Sequence, residues 1–80
     1  MSNHRFRIQN VQHDQLIICV EPEAHTVPLE PSEEVTVHDP YVKHPATLTV
    51  VKSESGETII SIWPGDGATR VEKNGVNLLE

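Results

Sequence analysis

The chain has 80 residues, enough for one domain, with 36% hydrophobic residues and only three aromatics, Phe6, Tyr41 and Trp63. Twelve acids against six bases give a net charge of −6, which argues against a nucleic-acid binder, since that needs a basic stripe to displace counterions from phosphates. The longest apolar run, Leu16–Val20, is too short to span a bilayer, and Met1–Arg5 leads into no apolar segment of a secretory signal. A lone cysteine, Cys19, forms no internal disulfide, so a reducing, cytoplasmic setting is expected.

Along the chain the apolar residues recur with period 2. Phe6 and Ile8 alternate with Arg5, Arg7 and Gln9, as in a half-buried strand. Leu16–Glu21 is continuously apolar up to its last residue, as expected of a central strand covered on both faces. Thr26–Leu29 carries Pro28, which donates no ladder hydrogen bond and so belongs on a sheet edge. Pro31-Ser32-Glu33 forms a turn into Glu34–His38, where Val35 and Val37 alternate with Glu34, Thr36 and His38.

Two hairpins follow. Leu48 and Val50 alternate with Thr47, Thr49 and Val51, and the strand ends at Glu54-Ser55-Gly56. A three-residue loop with Gly56 in the left-handed region pairs Val50 with Ile60 and Leu48 with Ile62, which makes Leu48 and Val50 core candidates. Asn74-Gly75 separates Thr69–Lys73 from Val76–Leu78; a type I′ turn there sets Lys73 opposite Val76 and Val71 opposite Leu78. No window holds helical spacing. Residues 1–78 therefore read as a single all-β domain, a small antiparallel β-sandwich or partly open barrel of about seven short strands. Leu79-Glu80 matches the dipeptide that a cloning site leaves before a purification tag and is set apart from the fold.

The candidates for chemistry are few. Of five histidines, His38 and His44 lie six apart across a proline-bearing loop, with Asp39 beside the first. His38, Asp39 and His44 are the nearest approach to a ligand set, but they lack the close spacing of a rigid metal site, so no metal or other cofactor is expected. Cys19, inside an apolar run and without a neighbouring histidine or methionine, reads as a small core residue rather than a copper ligand. The serines lie outside any nucleophile-elbow pattern, and Gly65-Asp66-Gly67 lacks the lysine and helix of a phosphate loop, so no enzyme is expected. Trp63, ending an apolar strand before Pro64-Gly65, reads as a lid closing the core. Its other use is as a loop anchor for a partner, and Tyr41 is the second aromatic available for that role.

Glu21-Pro22, Val27-Pro28-Leu29, Pro31-Ser32-Glu33-Glu34, Trp63-Pro64-Gly65 and Asn74-Gly75 together resemble a set of small, functionally uncharacterised bacterial β-proteins. These share a Glu-Pro, a Leu-x-Pro-Gly-Glu turn, a Trp-Pro-Gly loop and an Asn-Gly or Asp-Gly hairpin; Ser32 stands here where they tend to have Gly. The resemblance implies a small β-sandwich and no activity. The function expected is that of an interaction or accessory module binding a protein partner through loops or an edge strand, as a monomer or weak homodimer with neither nucleic acid nor membrane as partner. The alternative is a small metal- or ligand-binding protein using the 38–44 loop.

Overall fold

The computed structural model describes residues 4–78; the Leu79-Glu80 dipeptide lies outside the described residues. In chain order the strands are β1 (His4–Gln9), β2 (Leu16–Val20), β3 (His25–Leu29), β4 (Glu34–Asp39), β5 (Thr47–Lys52), β6 (Thr58–Trp63), β7 (Arg70–Lys73) and β8 (Val76–Asn77). Among the described residues there is no helix, hence none long and apolar enough to cross a membrane. One sheet has the order β1-β4-β7-β8 and the other β3-β2-β6-β5, and neither closes into a barrel. The core lies between them: Leu16, Ile18, Val20, Leu29 and Ile62 from one sheet meet Val35, Val37 and Val71 from the other.

Both hairpins take the expected register. Val50 faces Ile60 and Leu48 faces Ile62 across β5 and β6, with Gly56 at φ +94°. Lys73 faces Val76, the Leu78 amide donates to the Val71 carbonyl at 2.8 Å, and Asn74 and Gly75 both have positive φ, as a type I′ turn requires. One pairing departs from the antiparallel expectation. β2 and β6 run parallel, with Ile17 beside Ile59, Ile18 beside Ile60 and Val20 beside Ile62. Reversing β6 about Ile60 would set Ser61 against Ile17; the parallel register instead matches Cys19 with Ser61 and leaves Thr58 beside Leu16 at the end of the pair. The expectation that β2 is covered on both faces is met on one only: Leu16, Ile18 and Val20 enter the core, while Ile17 on the outer face is half-buried.

The crossing from β1 to β2 depends on a buried polar residue with no sequence signal of its own. Asn10 donates its side-chain amide to the Asp14 and Leu29 carbonyls at 3.0 and 2.8 Å and accepts from the Gln12 amide at 2.9 Å. Its backbone N–H reaches the Glu33 carbonyl, and its own carbonyl accepts from Ser32, so one residue joins the ends of β1, β3 and the turn into β4. That turn bonds the Glu33 N–H to the Glu30 carbonyl at 3.0 Å, with Pro31 second and Ser32 third at φ +76°. A type II turn favours glycine at that third position, and Ser32 occupies it here at positive φ.

Ser32→Gly should therefore raise the unfolding free energy by about 0.5–1 kcal/mol: about 1–2 kcal/mol of left-handed strain is relieved, partly offset by the greater freedom of Gly in the unfolded chain. Asn10→Ala should lower it by about 2–3 kcal/mol, because the buried Leu29 carbonyl loses its donor. Urea titration of the two variants checks both signs.

Candidate functional site

The residues that sequence spacing suggested as ligands separate in space. His38 and Asp39 are adjacent on β4 and leave its opposite faces. Outward, His38 Nε2 lies 2.5 Å from Glu72 Oε1, flanked across the sheet by Arg5 and Arg70. Inward, Asp39 is buried: Oδ2 accepts the Ala46 amide at 2.8 Å and Oδ1 accepts the Thr69 hydroxyl at 3.2 Å. His44 belongs to the loop after β4, where its N–H donates to Asp66 and its carbonyl accepts the Asp66 amide. Among the described residues no three metal-ligating side chains converge, and the 38–44 loop does not assemble His38, Asp39 and His44.

That loop is held from the other side by Trp63-Pro64-Gly65-Asp66-Gly67. The Asp66 carboxylate accepts the amides of Val42, Lys43 and His44 at 2.8, 2.9 and 3.0 Å. Those amides, Val42 and Lys43 first, pull its pKa below the usual aspartate value, because a carboxylate that accepts N–H bonds is stabilised in its charged form. The glycines permit the approach. A Cβ on Gly65 would lie 2.2 Å from the His44 carbonyl oxygen, and one on Gly67 2.2 Å from that of Pro40. The Pro-Gly-Asp-Gly segment is thus a clamp between two loops.

Trp63 itself does not close the core. Its neighbour Ile62 is fully buried there, so by alternation Trp63 faces outward, 45% exposed and opposite Thr47. Cys19 is buried, as expected of a small apolar residue; it lies beside Thr26 and Ser61, on the side of β2 opposite Ile18 and Val20. Burial, with Glu21 nearby, pushes its thiol up, away from reactive thiolate. Tyr41 stacks on His4 with ring centroids 4.9 Å apart, so the two aromatics proposed as anchors belong to different sheets' ends. The acidic residues of β4 and the turn before it have separate uses: Asp39 is internal, Glu33 pairs with Lys73 at 3.2 Å and Glu34 with Arg7 at 3.6 Å.

What the structure assembles instead lies along β5. This strand ends its sheet, and all six of its residues are exposed, including Leu48 (40%), Val50 (69%) and Val51 (55%). Leu48 and Val50 do sit on the core-facing side, as their pairing with Ile62 and Ile60 requires, but beyond the reach of the opposite sheet. On the outer side Val51 continues a row of apolar residues, Pro28–Ile17–Ile59–Val51, and Trp63 stands at the other end of the same hairpin. Alternation identified these residues as strand; nothing local distinguished an inner from a terminal strand. Compared with protein-family models, with curated proteins and with solved structures, the chain matches none.

Three outcomes follow for the clamp and the indole. Gly65→Ala should destabilise more than Gly75→Ala, because a Cβ at Gly65 meets backbone whereas at Gly75 it meets nothing and only positive φ is penalised, at about 1–2 kcal/mol; thermal melts of the pair give the order. The Asp66 contribution is complete above its unfolded pKa, about 3.9, and disappears as pH falls through its lower folded pKa. The Val42, Lys43 and His44 amide resonances should shift together in that acidic window and lose the transition in Asp66→Ala. At concentrations where the chain is monomeric, Trp63 should emit near the wavelength of indole in water. Trp63→Ala should then cost well under the roughly 3–5 kcal/mol of a buried aromatic.

Proposed function

We propose that this domain is a non-enzymatic interaction module that docks a protein partner by strand addition along β5. The observation that carries the reading is a comparison of the four sheet edges among the described residues. β1 presents Arg5 and Arg7, β3 contains Pro28, and β8 is two residues long, each a recognised means of blocking edge pairing. β5 is six residues long, without proline, and charged only at its last residue, Lys52. A strand left open in this way offers backbone hydrogen bonds for affinity and alternate side chains for selectivity.

The phase of those hydrogen bonds supports the reading further. Ser53 donates to the Glu57 carbonyl at 2.8 Å, so Val51, Thr49 and Thr47 bond to β6 while Leu48, Val50 and Lys52 direct their backbone groups to the free side. The module acts in the cytoplasm, where the lone, buried Cys19 stays reduced. Its net charge of −6 disfavours nucleic acid and anionic membrane as partners.

Val50→Pro tests the proposal, because it removes an outward N–H without removing a bond to β6. Proteins captured from the source cell by the wild-type domain should be lost with Val50→Pro, while the amide spectrum of the variant stays dispersed. Equal capture by both, with the fold intact, refutes docking at β5.

A further inference from the structure

Resting on that reading of β5 as the docking strand, we propose that the partner is a second copy of this chain, paired antiparallel about Thr49. The segment Thr47-Leu48-Thr49-Val50-Val51 is uncharged within an acidic chain, so two copies can meet there without like charges opposed. With Thr49 opposite Thr49, Leu48 of each copy faces Val50 of the other, and these are the residues whose backbone groups are free. Each Leu48–Val50 pair then exchanges two hydrogen bonds, and the Thr49 pair falls at a non-hydrogen-bonded site with its Cα atoms about 4.5 Å apart.

The faces also match. Opposed residues in an antiparallel pair share a face, so the core-facing sides of the two four-stranded sheets become one surface. Leu48 and Val50, exposed in the single chain, cover one another. On the outer side Thr47 of one copy faces Val51 of the other. This places Trp63, opposite Thr47 in its own sheet, at the end of the second copy's Val51–Ile59–Ile17 row. The small Thr47 leaves the indole room to lean across toward Val51. Neighbouring registers do worse. Centring on Val50 sets Leu48 against Lys52, and centring between Thr49 and Val50 joins the core side of one sheet to the solvent side of the other. In the Thr49 register Lys52 lies opposite Ala46, clear of its counterpart.

Sedimentation and mild oxidation of single-cysteine additions test this. Wild type should double its mass with rising concentration and its Trp63 emission should shift to the blue; Val50→Pro should lose both changes. Thr49→Cys should give a covalent dimer, since the opposed pair falls within disulfide reach, whereas Thr47→Cys and Val51→Cys should cross-link only when mixed with each other. Val76→Cys, exposed on the other sheet, serves as the control that stays monomeric. Wild type remaining monomeric to millimolar concentration, with Thr49→Cys no more cross-linked than Val76→Cys, overturns self-pairing. Capture of another protein in a Val50→Pro-sensitive way would then leave strand addition standing. A dimer untouched by Val50→Pro overturns both, and cross-linking by Val51→Cys alone overturns the register.

Discussion

The carboxyl group of Asp39 is the constraint around which one end of this molecule is arranged. Buried at the end of β4, it would be costly if left without donors, and it takes them from the backbone of Ala46 and the hydroxyl of Thr69. Those donors come from the two connections that leave the sandwich here, the loop into β5 and the loop into β7. Thr69 in turn accepts the Gly65 amide at 3.2 Å, and Asp66 gathers three amides of the facing loop. Two acidic residues and two glycines thereby determine where the chain turns from each sheet to the other.

This arrangement bears on the exposed strand. The loop held by Asp39 and Asp66 delivers the chain to Thr47, at the outside of the β3-β2-β6-β5 sheet, and the hairpin through Gly56 returns it to the inside beside β2. β6 is therefore covered on both edges, while β5 has a neighbour on one edge only. The glycines and aspartates join the two loops at this end. The single tryptophan is left outward, on the hairpin that carries the open edge. Small sandwiches have few residues with which to guard their edges; here Arg5, Arg7 and Pro28 protect two of them and brevity protects β8. An unguarded edge with exposed β-branched residues is a liability unless something pairs with it, which is the physical basis for reading β5 as an interface.

The ligand set that sequence spacing offered is not assembled, for a definite reason. His38 and Asp39 are neighbours in the chain, and the twofold alternation of a strand sends neighbours to opposite faces. The same alternation turned Trp63 away from a core that its neighbour Ile62 occupies. Asn10 was silent because an isolated polar residue between strands has the composition of any loop; its role depends on the Leu29 and Glu33 carbonyls arriving from distant positions. Gly65-Asp66-Gly67 was visible as a motif, but its use, close approach to the 40–46 backbone, was not.

Local pattern alone determined the strands, both hairpin registers, the turn at Pro31-Ser32 and the absence of helix among the described residues, because alternation, φ preference and proline chemistry act over a few residues. The tertiary structure alone decided that β2 and β6 run parallel, that Asp39 and Asp66 join two loops, and that β5 rather than another strand ends its sheet unguarded. Each of those depends on which segments meet across long separations in the chain. A residue's alternation says which way it faces, and only its neighbours in space decide whether anything is there to cover it.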